Sequence, residues 1–123
     1  ASKGMKPGET GLKRVFDATI YSIQGLKAAW KYEEAFRMEI VLLVLLTALT
    51  FFLPVTKFEQ LAMIASLFMV VIVELLNSAV EAVVDRIGSD YHELSGRAKD
   101  IGSAAVFVSM IFVGITWFVV LFV

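Results

Sequence analysis

The 123-residue sequence contains no cysteine, one histidine and two prolines. Without cysteine there is no disulfide framework, no thiol nucleophile and no cysteine-held zinc. A lone His92 cannot build a histidine-rich metal centre, so any metal here is a hard cation with oxygen ligands, Mg²⁺ being the natural candidate. An excess of either charge is missing too. Eleven Lys and Arg stand against 12 Asp and Glu, for a net charge of −1. With no basic surplus to neutralise phosphates along a duplex, nucleic acid is excluded as a partner. The first residues carry lysines but no apolar core behind them, so no cleaved signal peptide is expected. What the chain does have is apolar residues, 59% of the total, with only 19% charged. That balance predicts a small integral membrane protein of one domain.

Residues 1–9 are small, charged or turn-forming and are expected to be disordered, leaving 10–123 as a single membrane domain. Over residues 10–31, Leu12, Val15, Phe16, Thr19, Ile23, Leu26 and Trp30 recur with helical spacing among Lys13, Arg14, Asp17, Gln24 and Lys27. This predicts an amphipathic helix, interrupted at Gly25, that is too polar to span a bilayer and suits its interface. A helix packed on a soluble core is the alternative, but no other segment supplies such a core.

Three long apolar segments follow, at about 35–53, 59–87 and 102–123, against a hydrocarbon thickness of about 30 Å. Arg37, near the start of the first, is placed to snorkel toward headgroups. Pro54 marks its exit. Thr56-Lys57-Phe58-Glu59 has the spacing of a capping box, and Gly88 is a natural C-cap. The polar stretch 89–100 reads by default as a charged connecting loop, or alternatively as a phosphate site with Lys99 as its point charge. Gly102, Ser103, Ala104 and Ala105 permit close helix contact.

Lysine and arginine placement orients these spans. Seven (Lys3, Lys6, Lys13, Arg14, Lys27, Lys31 and Arg37) precede the first span or sit in its opening turn. The first loop holds only Lys57, whereas the second holds Arg86, Arg97 and Lys99. By the positive-inside rule the N-terminus and second loop are cytoplasmic, and the C-terminus lies outside.

The second span carries Glu74, Asn77, Ser78, Glu81 and Asp85 at offsets of 0, 3, 4, 7 and 11. At about 100° per residue they share one side of a helix. A carboxylate near the bilayer centre costs roughly 2.5–3.5 kcal/mol, so such a stripe belongs against protein or a water-filled cleft. A polar seam that fixes helix register is the structural alternative. It needs one Asn or Ser, not two ionisable groups. Glu74 and Glu81 lie about 10.5 Å apart along the axis. The shallower Glu81 suits a hydrated cation and the deeper Glu74 a general base. Glu33, taken alone, reads as a surface carboxylate able to pair with Arg37 at the i, i+4 spacing. No G-x-x-x-x-G-K-[ST] loop, protein-kinase motif set or G-x-S-x-G elbow is present. The residues alone reach a three-span membrane protein with a cytoplasm-facing acidic cleft.

At this point the sequence becomes specific. The run Ile-Val-Glu74-Leu-Leu-Asn77-Ser78-Ala-Val-Glu81-Ala-Val-Val-Asp85-Arg86, continued by Gly-Ser-Asp-Tyr-His-Glu-Leu-Ser-Gly-Arg-Ala-Lys99-Asp100, resembles the signature of bacterial membrane diacylglycerol kinases. Gly-Leu-Lys-Ala-Ala-Trp30-x-x-Glu33-x-Ala-Phe-Arg37 resembles their N-terminal segment. The likeness runs from about Thr10 onward, and the connector resembles the Gram-negative branch more than the undecaprenol kinases. It implies an all-α membrane protein: an amphipathic surface helix plus three transmembrane helices, assembled as a homotrimer in the bacterial inner membrane. It implies transfer of the ATP γ-phosphate to the primary hydroxyl of diacylglycerol, giving phosphatidic acid, with Mg²⁺ as cofactor.

By the same resemblance Glu74 is the catalytic base, Glu33 and Glu81 hold Mg²⁺, and Asn77 orients the cluster. ATP contacts fall at Arg14, Tyr21, Glu33, Glu81, Asp90, Tyr91, His92, Lys99 and Asp100. Lipid contacts on the first helix fall at Arg14, Ala18, Thr19, Ile20, Tyr21, Ser22, Ile23, Lys27, Ala28, Ala29 and Trp30. Others fall at Ala35, Phe36, Arg37, Met38 and Glu39. The remainder are Phe52, Leu53, Pro54, Val55, Gln60, Glu74 and Ser103. Three other functions stay open: an undecaprenol kinase, a proton or cation transporter using the acidic stripe, and a non-catalytic membrane-assembly protein. Transporters usually show internal repeats or broken helices, and none is visible here.

Overall fold

The computed structural model describes residues 11–88, 90 and 92–123, in four helices. The expected disorder of 1–9 lies outside the described residues. Helix α1 (Gly11–Tyr32) runs through Gly25 without a break, contrary to the expected interruption. One helical glycine costs about 1 kcal/mol, too little to divide a cooperative helix of this length. Only Ala29 of α1 is buried, and Leu12, Val15, Phe16 and Trp30 stay exposed along its length.

Helix α2 (Glu34–Thr50) begins after a single non-helical residue, Glu33. Arg37 explains the tight junction. Its guanidinium donates to the carbonyls of Trp30 at 2.7 Å and Lys31 at 3.3 Å, satisfying acceptors that the end of α1 leaves unpaired. The guanidinium is thus engaged by backbone carbonyls of α1 rather than by the Glu33 carboxylate that the i, i+4 spacing suggested. At the far end, the Gln60 amide donates to the Thr50 hydroxyl at 3.1 Å, and that hydroxyl donates to the Thr47 carbonyl. This staples the end of α2 to the start of α3.

Helix α3 (Lys57–Ile87) opens on the expected capping box. The Glu59 N–H donates to the Thr56 hydroxyl at 3.1 Å, and the Thr56 N–H donates to the Glu59 carboxylate at 2.8 Å. Gly88 closes the helix with extended backbone, φ 172°, so the stop does not need the left-handed freedom of glycine. Helix α4 (Glu93–Phe122) starts well before the expected residue 102. His92 nucleates it: Nδ1 accepts the Leu94 N–H at 3.1 Å, and Glu93 pairs with Arg97 at 3.3 Å one turn on. The polar stretch read as a connecting loop is therefore mostly helix.

α3 is the central element. It packs most extensively on α4 and then on α2, while α1 touches α2 more lightly. Ala29, Phe36 and Val71 join α1, α2 and α3 in one cluster, flanked by Ile40 and Leu75. The Trp117 indole N–H donates to the Met63 carbonyl at 3.3 Å and pins α4 to α3. Leu42, Leu45, Phe107, Ile111 and Phe118 are left exposed. α3 and α4 are each long and apolar enough to cross a membrane. Such an exterior belongs in lipid, where packing comes from van der Waals contact and interhelical hydrogen bonds. The chain is an all-α membrane protein.

Candidate active site

The polar stripe of α3 faces inward, as its spacing requires. Glu74, Asn77 and Ser78 are buried, Glu81 is half-buried, and Asp85 emerges at the helix end. Between this stripe and α1 lies a cavity of about 820 Å³ lined by Glu33, Ser78, Glu81 and Asp85, with Ser22 and Tyr32 on the α1 side. Glu33 owes its place to the α1–α2 junction. As the one non-helical residue between two helices, it is partly buried and lines the same cavity as Glu81. The surface role that its own sequence context suggested gives way to a cavity role.

Glu74 lies below this cavity and within reach of the charges of Glu33 and Glu81. Glu39 of α2 feels the charge of Glu74 in turn. One Glu39 carboxylate oxygen is buried without a partner and borders a second, apolar cavity of about 220 Å³ lined by Leu42, Val70, Val71 and Met110. Along α3, Glu74 falls between the residues that line the acidic cavity (Leu75, Ser78, Glu81) and those that line the apolar one (Leu67, Val70, Val71), and itself lines neither. Asn77 faces α4. A Cβ built on Gly102 would collide with its side-chain oxygen, which is buried and unpartnered, as is the Ser78 hydroxyl. Glycine at 102 is what lets α4 approach this closely, in keeping with the small-residue run read from the sequence.

Lys99 stands on α4, not on a loop, and its ammonium lies 2.8 Å from the Asp85 carboxylate. That hydrogen bond first, and the Asp85 charge second, raise the Lys99 pKa above the ordinary lysine value. Lys99 precedes the apolar run of α4 and is fully cationic at neutral pH. Asp85 belonged to the stripe in the sequence but carried no role there. Its offset of 4 from Glu81, one turn away on the same face, was the available signal.

Other expected ATP positions are dispersed. Arg14 and Tyr21 stand on α1 and are not among the residues lining the acidic cavity. Asp90 and His92 border a surface hollow of about 400 Å³ beside Gly88 and Ser95. Asp100 borders another, with Glu93 and Arg97. Tyr91 lies outside the described residues.

The expected lipid positions divide in two. Ala18, Thr19, Ile20, Ser22, Ile23, Lys27, Ala28 and Trp30 lie along α1, where the Thr19 and Ser22 hydroxyls donate to the carbonyls of Val15 and Ala18. Ala29 and Phe36 are core residues, and Ala35 and Met38 are exposed on α2. Phe52, Leu53, Pro54, Val55 and Gln60 gather at the opposite end of α2, about 25 Å from Glu33. Ser103 is exposed on α4 beside Gly102. No single headgroup-sized ligand touches both groups.

Among the described residues, no three His, Asp or Glu side chains gather into a metal-ligating cluster. A closed protein cage is therefore absent from them. Two carboxylates lining one polar cavity suit Mg²⁺, which keeps several waters and completes its shell with substrate phosphates.

The sequence matches the family described as prokaryotic diacylglycerol kinase over residues 20–121. A diacylglycerol kinase of Haemophilus influenzae is 58% identical over 113 residues, covering 92% of this chain and 96% of that protein. That of Escherichia coli is 51% identical, covering 95% and 96%, and that of Pseudomonas aeruginosa 48%, covering 93% of each. The chain belongs to the prokaryotic diacylglycerol kinase family. Along α3 the acidic cavity lies toward the polar C-terminal end and the apolar one toward the middle of the helix.

Proposed function

We propose that this chain is an ATP-dependent lipid kinase that transfers the γ-phosphate of ATP to the primary hydroxyl of diacylglycerol, yielding phosphatidic acid. One observation carries the reading: a buried Glu74 on α3, placed along the helix between the residues lining an acidic cavity and those lining an apolar one, as a lipid kinase needs between nucleotide and lipid. Phosphoryl transfer asks the protein for positioning and charge neutralisation more than for covalent chemistry. Glu74 accepts the proton of the attacking hydroxyl, whose oxygen forms the new bond to the γ-phosphorus while the bond to ADP breaks. Glu33 and Glu81 would hold Mg²⁺ together with the nucleotide. When bound, the ion offsets triphosphate charge. Lys99 adds a fixed positive charge, and Asn77 orients the carboxylate cluster.

The same reading makes α2, α3 and α4 three transmembrane helices, with α1 lying on the membrane surface. α2 and the turn that follows it cover the first expected span. The N-terminus is cytoplasmic and the C-terminus periplasmic, in the bacterial inner membrane. The assembly is a homotrimer.

The test is ³²P transfer from Mg-ATP to diacylglycerol and, separately, to undecaprenol in mixed micelles. Labelled phosphatidic acid supports the reading. Label on undecaprenol alone moves the substrate to the polyprenol class. No label on either lipid from folded protein overturns the kinase reading in favour of transport or assembly.

A further inference from the structure

The bond between Asp85 and Lys99 is not explained by folding stability. It is short, 2.8 Å, but its side chains are 67% and 43% exposed, and exposed ion pairs contribute little. Its placement is more telling. Asp85 lines the acidic cavity with Glu33 and Glu81, and Lys99 also feels the charge of Glu81. The pair ties the last turn of α3 to the second turn of α4 across the connector that carries Asp90 and His92.

Two physical consequences follow from that position. An ammonium has three N–H donors, and Asp85 takes one of them. The flexible lysine stem is thereby held before any ligand arrives, which lowers the ordering cost of binding. The second consequence is electrostatic. Without a nearby cation, the wall formed by Glu33, Glu81 and Asp85 would present one sign of charge and repel a polyanion.

We propose that Asp85 is a positioning residue: it holds Lys99 at the edge of the α1–α3 cavity, with two donors free for the phosphates of a nucleoside triphosphate. Lys99 in turn neutralises Asp85 against that same polyanion. Asp85 itself touches no reacting atom. The inference rests on the kinase reading above, and it adds a role for a residue to which that reading gives none.

The decisive experiment is a double-mutant cycle on the full chain in detergent. Binding of radiolabelled ATP is measured by equilibrium dialysis in EDTA, where no transfer occurs. KM and kcat are measured separately with Mg-ATP and diacylglycerol. Lys99→Ala and Asp85→Ala should each weaken ATP binding about tenfold, and the double variant should be no worse than Lys99→Ala alone, the signature of coupled residues. Asp85→Ala should raise KM for ATP while kcat changes little. Asp85→Asn, which keeps an acceptor oxygen for the ammonium, should recover part of the loss. It also carries the comparison if the alanine variant folds poorly.

Losses that multiply in the double variant would show that Asp85 acts independently of Lys99 and overturn the proposal. Unchanged or tighter ATP binding by Asp85→Ala would overturn it as well. A wild type that binds ATP but labels no lipid would instead sink the kinase reading, so the two failures are distinguishable.

Discussion

α3 and α4 are almost equal in length, 31 and 30 residues, and both are apolar enough to cross a bilayer. Yet α3 buries nine residues and α4 only Ser109. Five of the nine are apolar: Met63, Leu67, Val70, Val71 and Val84. The other four are Ser66, Glu74, Asn77 and Ser78. Hydrophobicity therefore does not decide which helix becomes central. In lipid, an apolar side chain gains little by leaving the hydrocarbon, whereas a polar one gains much by finding protein. The stripe on α3 draws its neighbours around it, and α4, uncharged from Gly102 onward, serves as the wall that Asn77 packs against.

The largest effect should come from removing the reason α3 is special. Glu74→Gln keeps the side-chain volume and hydrogen-bonding capacity but cannot take a proton. Phosphotransfer should fall roughly 10²–10⁴-fold, the range for a general base. ATP binding in EDTA and thermal stability should change little. Loss of assembly with transfer per folded molecule retained would make the stripe a packing seam, erasing the functional difference between the two helices.

Next comes the point where the helices meet. A methyl group at residue 102 must displace the Asn77 amide, because it would occupy the same space. The displaced atom is the end of a rotatable side chain, so the backbone can stay in place. Gly102→Ala should therefore cost at most about 1–3 kcal/mol of stability. Activity should fall at least tenfold, because a displaced Asn77 no longer orients the carboxylate cluster. Thermal denaturation and ³²P transfer on one preparation check the split. Full activity would mean that the orientation of Asn77 is not needed for transfer.

The stripe itself was legible because it needs only one helix and a period of 3.6. So were the capping box and the surface helix, which depend on a few neighbouring residues. What escaped the sequence needed a second element. Glu33 reads as solvent-exposed until the α1–α2 junction sets it in the cavity that Glu81 lines. The Arg37 guanidinium reads as a partner for Glu33 until the carbonyls of Trp30 and Lys31 come within its reach. The early start of α4 was hidden by charge: Glu93, Arg97, Lys99 and Asp100 suggest a loop until His92 is seen capping Leu94. The family resemblance supplied Glu33 in advance and the stripe supplied Ser78 and Asp85; that all three line one cavity comes from the packing.

A smaller effect is expected at the end of α3 remote from the acidic cavity. Thr56→Ala removes one half of the capping box and leaves the Glu59 N–H without its acceptor. The cost should be about 1 kcal/mol, seen as a lower denaturation temperature in detergent. Transfer per folded molecule should not change, because Thr56 lies at the opposite end of α3 from Glu81. A drop in kcat at constant folded fraction would show that the two ends of α3 are coupled.

The smallest effect sharpens the comparison within α4 itself. Gly114 lies on the same helix as Gly102, and a Cβ there meets nothing within 4 Å. In α4, then, Gly102 is required by contact, whereas Gly114, like Gly96, is required by nothing in the described structure. Replacing a helical glycine with alanine removes backbone freedom from the unfolded chain, and in a helix interior this is worth roughly 0.5–1 kcal/mol. Gly114→Ala should therefore be neutral or slightly stabilising, with transfer unchanged, while the same substitution at Gly102 is harmful. Measured side by side, the two variants isolate contact from propensity. If Gly114→Ala proves as damaging as Gly102→Ala, then a surface open in this chain is covered in the assembly. A second copy of the chain, or another partner, would then pack against the outer face of α4.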